Sequence, residues 1–427
     1  MNLSCTIYFF EQNIEPSTAT LYMVLILLPT VLSFLFGALL ESFSIFGKRG
    51  HLIISSLIQL IASVTIISVP FGGESESGFI FNCMVLNLGK VWMTPIIESM
   101  LVIQMRLDPE RGAEDLETFG KMCQAFGSII FCVVGGAISS PIWGEKLPHP
   151  RDYFYIQALI AALILWRGLV YPKASEKHGM HGHSDSSTVH SQVHEKSLKE
   201  KFKLFYKVCS MWRVRRVIIY IWVVTLTCTN QEVYMIYSNL EQYNIDALFM
   251  GSCATIVFFG AMVWLILYNS YMINFKNSWL ILPAYIGRFV GNNLIALSCR
   301  PGLTPAQAKA WQSMTSVFIT PFVSAFLVIP AQMAFAKCVP GSIEALMMGL
   351  LNSIIQLNSQ ILMRLLPLLF FINSGINIDN YQGLYKIMSS SALYQLVGIF
   401  LVKYVFDRDE FGDLQKTLME IEKLNPE

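Results

Sequence analysis

The sequence predicts an all-α, multi-pass membrane protein of about eleven transmembrane helices, arranged as two bundles joined by a cytoplasmic linker. Three observations carry this. Apolar runs of about 20 residues, the length that crosses a bilayer as a helix, fill the chain from residue 19 to residue 406. Charged residues make up 14% of the chain, well below the roughly 25% of a soluble domain, and they cluster in the gaps between runs. One gap, 173–213, is long and basic and leaves five runs before it and six after. Run length and the lack of two-residue alternation exclude a transmembrane β-barrel.

In chain order, the first eighteen residues carry Glu11 and Glu15 without a basic stretch, so they do not read as a signal peptide. Spans are expected at 19–40, 50–70, 78–105, 119–144 and 152–172, then at 214–237, 247–271, 277–298, 311–336, 343–372 and 384–406. The run 343–372 exceeds one bilayer thickness, which predicts tilt or continuation past the membrane. The resulting domains are an N-terminal bundle (1–172), a linker (173–213), a C-terminal bundle (214–406) and a tail (407–427).

Loop charges set the orientation. Lys173, Lys177, Lys196, Lys199, Lys201, Lys203, Lys207 and Arg213 mark the linker as cytoplasmic. Alternation then places Lys48, Arg49, Arg106, Arg111, Lys276, Lys337 and the tail on the same side. Glu74, Glu76, Glu241, Asp246 and Asp379 fall on the other. An odd span count leaves the N-terminus outside. Within the linker, 178–194 is rich in histidine (His178, His181, His183, His190, His194); a polar linker explains it better than a zinc-sensing loop. Residues 196–212 place Leu198, Phe202, Phe205, Cys209 and Trp212 at helical spacing among lysines, predicting an amphipathic helix against the anionic leaflet.

Several function classes are excluded. A net charge of +1 gives no basis for a nucleic-acid partner. The nine cysteines are scattered without a CxxC pair, so neither a disulfide framework nor a metal site is expected. Walker, HExxH and GxSxG motifs are absent, so no catalytic residues and no cofactor are assigned. No repeated filter ring points to a channel. Two multi-span halves with a basic linker fit a secondary transporter, with a scaffold or receptor-like protein as the alternative.

Ionisable side chains inside the runs are costly and therefore mark function or structural pairing. They are Lys90 and Glu98 in one span, Glu232 beside Thr229, Asn230 and Gln231, Arg288, Glu344 at the head of a span, and Arg364 deep within it. The cations suit an organic anion, and the glutamates suit proton coupling. Gly287 and Gly291 form a GxxxG contact, and Pro95, three residues before Glu98, marks a possible opened turn.

Three segments resemble the folate–biopterin transporters of the major facilitator superfamily. Residues 27–50 (LLPTVLSFLFGALLESFSIFGKRG) resemble that family's second helix and following loop, with matches at Pro29, Gly37, Ser42, Gly47 and Arg49. Glu41 stands for the loop aspartate. Thr30, Ser33 and Phe34 replace the family's tryptophan, lysine and second proline. Glu98 and Arg106 take the acidic and basic places of the fourth helix, and 339–358 resembles the Gly-x-Glu-Ala run through Glu344 and Ala345. The resemblance implies alternating access, a folate- or pterin-like solute, protons as the coupling partner, and a monomer in the plasma membrane or an organelle membrane; the departures at Thr30 and Ser33 leave another small solute on the same fold as the alternative. It also implies a gating loop at Gly37, Glu41, Gly47 and Arg49. Of the family's twelve helices, the first is expected to be absent or reduced to residues 1–18.

Overall fold

In a computed structural model the described residues are 2–42, 47–68, 76–105, 112–138, 152–170, 198–226, 232–272, 277–320 and shorter stretches between 322 and 401. The histidine-rich segment 178–194, the polar triplet Thr229–Gln231, Arg106 and the tail lie outside them.

Every described element is helical. They run α1 Asn2–Glu11, α2 Pro16–Leu27, α3 Ser33–Ser42, α4 Gly47–Ser68, α5 Glu76–Met105, α6 Gly112–Ile138, α7 Tyr153–Val170 and the linker helix α8 Leu198–Ser210. There follow α9 Trp212–Leu226, α10 Glu232–Tyr243, α11 Ala247–Leu267, α12 Asn277–Ser298, α13 Pro305–Met314, α14 Glu344–Gln356, α15 Met363–Asn373, α16 Leu384–Ala392 and α17 Val397–Leu401. Among the described residues eight helical stretches are long and apolar enough to cross a membrane. The molecule is thus an all-α, integral, multi-pass membrane protein. Three expected spans are not among the eight: 214–237, 311–336 and 384–406 are each described only in part, the first as α9 and α10 and the last as successive short helical turns up to residue 401.

Local chemistry explains the joints. Pro29 lacks an N–H to continue the helix, and a 3-10 turn at Leu28–Leu32 joins α2 to α3 within one span. Pro95 does not open a turn: α5 continues through it. Thr304 and Gln307 form a reciprocal capping box at the start of α13, the hydroxyl accepting from the Gln307 N–H at 3.3 Å. Helix α14 passes into a π-helical turn, Leu357–Leu362, before α15.

Residues 1–18 are not an empty lead. Ten of them form α1, which is buried from Ser4 to Phe9. Tyr8 meets Phe79 at 4.4 Å between ring centroids, and Phe10 meets Tyr237 at 5.2 Å. This apolar stretch is too short to read as a span.

The linker helix differs from its expected leaflet-bound position. Leu204 and Val208, one turn apart, are buried in the protein core, Phe205 sits 5.5 Å from Phe34, and the Cys209 sulfur lies 3.9 Å from that of Met347. Leu198, Phe202 and Trp212 of the expected stripe are exposed. The helix is docked on the bundle ends, and burial pushes the Cys209 thiol up to about 11.

Candidate functional site

Two arrangements stand out: a closed contact at the end of the molecule that carries the linker helix, and a cavity above it.

The contact is built on α3 and α14. A Cβ at Gly37 would collide with the Ala345 carbonyl, and one at Gly349 would stand 2.7 Å from the Ser33 carbonyl, so glycine permits backbone-to-backbone approach at both places. Helix starts leave N–H groups without intrahelical partners. At the start of α3 the Phe34 N–H donates to the Ser353 hydroxyl at 2.8 Å, and that hydroxyl donates to the Val31 carbonyl at 2.7 Å. At the far end of α3 one Glu41 oxygen accepts from the Ala345 N–H at 3.1 Å, at the positive end of α14. The other accepts from Lys201 of the linker helix at 3.1 Å, and Lys201 also donates to the Glu41 carbonyl at 2.9 Å. Glu98 accepts from Asn352 across the same seam.

Of the expected gating residues, Gly37 and Glu41 sit in this seam. Gly47 starts α4 with a φ of 56°, a left-handed value that glycine tolerates. Arg49 does something else: its Nε donates to the Gly168 carbonyl at 2.8 Å and a terminal nitrogen to that of Leu169, so it caps the end of α7. Glu344 is buried in the first turn of α14, where the helix dipole favours a carboxylate.

The cavity has a volume of about 960 Å³ and is lined by side chains from both the early and the late helices. Lys90 and Glu232 are the charged residues of its wall. Glu232 is the first residue of α10 and is held at 3.1 Å by Arg364, which is 1% exposed. Gln360 supports the same guanidinium at 3.4 Å. The π-helical turn before α15 carries Asn358 and Gln360, and Asn358 donates to the Trp222 carbonyl and the Thr225 hydroxyl, each at 2.8 Å. Arg288 donates to the Val224 carbonyl at 3.3 Å. These two side chains therefore donate to carbonyls near the end of α9.

The six expected pathway residues thus separate. Lys90 and Glu232 both line the cavity, and Arg364 is paired with Glu232. Glu98 and Glu344 belong to the α3–α14 contact region, and Arg288 braces α9. Among the described residues Arg364 is paired with Glu232, Arg288 donates to a backbone carbonyl, and Lys90 is the cation that lines the cavity.

Sequence reasoning missed the amides. Gln59, Asn87, Gln124, Gln157, Asn239 and Gln312 all line the cavity. Gln157 stands as a lone amide in an apolar run, a signal the sequence offered, whereas Asn239 and Gln312 sit among other polar residues and gave none.

A sequence profile of the BT1 family matches residues 1–420. The chain belongs to the BT1 family. This BT1 member is therefore one of the folate–biopterin transporters, carriers of small solutes. No curated protein sequence matches the chain. Among solved structures it is similar to the inward-open xylose transporter XylE from E. coli, at 14% identity over 99% of this chain and 95% of that one, with a TM-score of 0.63. The nucleoside transporter NupG gives 12% identity, 95% of each chain and the same TM-score. The human organic anion transporter MFSD10 gives 12%, 91% of this chain, 83% of that one, and 0.57. At these identities the likeness establishes the fold: the helices follow the major facilitator pattern.

Proposed function

We propose that this BT1 family protein carries a folate- or pterin-type solute through the 960 Å³ cavity by alternating access, with Glu232 as the proton-coupling group. The observation that carries the reading is the Glu232–Arg364 pair: a carboxylate lining the cavity, held by a buried guanidinium. Protonating Glu232 releases Arg364 from its partner. The site then has two electrostatic states, as coupling requires.

In this reading eleven spans and the short α1 form two bundles, 1–172 and 214–406, which rock about the cavity as a monomer. The linker 173–213 and tail 407–427 face the cytoplasm. The α3–α14 seam is then the cytoplasmic gate, latched by Glu41 to Lys201. Supporting this is the tight packing of Gly37 and Gly349 against the facing backbone, since close contacts of small residues separate as rigid surfaces.

The test is uptake of labelled biopterin and folate into transporter-deficient cells under an imposed pH gradient. Uptake is expected to be protonophore-sensitive and to fall at least tenfold in Glu232→Gln. Normal surface delivery without uptake of either compound would refute the reading.

A further inference from the structure

The linker helix α8 carries a second face that the bundle leaves uncovered. Leu204 and Val208 turn into the protein core, and Lys201 reaches Glu41 on the same side. On the other side Leu198, Phe202 and Tyr206 recur at every fourth residue and are exposed, Tyr206 by 77%. Lys199, Lys203 and Lys207 follow one position later, and all three are exposed. At about 100° per residue these sets form two parallel stripes, one apolar and one basic, along the roughly 20 Å of the helix. Glu200 is the acidic residue of α8, so the basic stripe outweighs it three to one.

We propose that this outer face is a docking surface for anionic phospholipid, with Leu198, Phe202 and Tyr206 at the headgroup–acyl boundary and the three lysines on the phosphates. The proposal rests on the cytoplasmic placement of the linker given above, because that leaflet holds the acidic lipids. The contacts of α8 set its level. Lys201 meets the last turn of α3 and Cys209 meets Met347 in the first turn of α14, the ends of two membrane-spanning stretches. Met211 alone separates α8 from α9, whose first residue, Trp212, is exposed at the head of an expected span, as interfacial tryptophans are. Leu35, beside the Phe34 on which Phe205 packs, is 54% exposed, so the docking line runs along a lipid-facing edge of α3. Lysines alone would suit an acidic protein equally well. An apolar stripe at constant offset from a basic one is instead the pattern of a helix lying in a membrane interface, where lysine stems bury and their ammonium groups reach outward. Held by protein on one side and by lipid on the other, α8 stays docked, and the lipid thereby reinforces the tie between Lys201 and Glu41.

The experiment is native mass spectrometry of the full-length protein released from detergent micelles supplemented with phosphatidylserine or phosphatidylcholine. Phosphatidylserine is expected to be retained at a concentration at least tenfold lower than phosphatidylcholine. Combining Lys199→Gln, Lys203→Gln and Lys207→Gln should remove that preference. The same three positions changed to arginine should keep it, which separates lost charge from lost folding. Phe202→Ser with Tyr206→Ser should weaken retention of phosphatidylserine several-fold. With the other cysteines replaced, Cys209 should be alkylated several-fold more slowly in nanodiscs holding about 30% phosphatidylserine than in phosphatidylcholine alone. Equal retention of the two lipids, a preference that survives the glutamine substitutions, or an unchanged Cys209 rate would overturn the inference. So would tight binding of soluble polyglutamate that the two serine substitutions leave unaffected, since that marks an acidic protein as the occupant. Lipid retention is measured without any transported solute. Its failure therefore leaves the transport reading standing, and failed uptake leaves the lipid surface standing.

Discussion

Removing Glu232 should damage the protein more than removing Arg364, although they form one ion pair. The nitrogen and oxygen are 3.1 Å apart, and Coulomb attraction at an effective dielectric near 20 is roughly 5 kcal/mol before desolvation is subtracted. The desolvation is unequal. Arg364 is 1% exposed, while Glu232 keeps 32% of its side-chain surface open. Glu232→Gln therefore strands a buried guanidinium, with an expected loss of about 3 kcal/mol, near the low end for breaking a buried pair. Arg364→Gln leaves a carboxylate with access to cavity water, and the loss should be about 1 kcal/mol, closer to an exposed pair. The double variant should be less destabilised than Glu232→Gln alone, with a coupling of about 1–2 kcal/mol. Reversible unfolding in mixed micelles of detergent and SDS measures all three. Equal losses for the two single variants, or additivity in the double, would show that Arg364 does not depend on Glu232 and would refute the reasoning.

Other outcomes follow from the α3–α14 seam and the end of α9. Gly37→Ala should force α3 and α14 apart, so a cysteine placed at Ser33 should be alkylated several-fold faster than in the parent. With the other cysteines replaced, Cys209 should react slowly with maleimide in the docked state, being half-buried with its thiol pushed up to about 11. Lys201→Gln, which removes the tie to Glu41, should speed that reaction at least tenfold if undocking exposes the sulfur. Asn358→Leu removes two hydrogen bonds to the end of α9 and should destabilise the protein by about 1–3 kcal/mol in the same unfolding assay. Arg49→Ala should lower the thermal midpoint through the lost cap on α7 while leaving maleimide access at Ser33 unchanged.

The sequence by itself determined the solvent, the helical class and the family. Those depend on the length and spacing of apolar runs and on short motifs such as Glu344–Ala345, which are local properties of the chain. It also picked out Glu232 and Arg364, because a charge inside an apolar run is conspicuous wherever the chain goes. What it did not contain was pairing. Lys90 and Glu98 lie two turns apart on α5, yet one faces the cavity and the other meets Asn352, because α14 approaches only one end of that helix. Arg49 sits in a segment resembling a gating loop but binds the carbonyls of α7, a partner more than a hundred residues away in sequence. The linker lysines read as membrane-binding, and Lys201 instead holds Glu41. Burial of Asn239 without a partner could arise only once α10 closed over the cavity. Hydrophobic patterning is written residue by residue, whereas hydrogen-bond satisfaction is a property of surfaces that meet only in the folded chain.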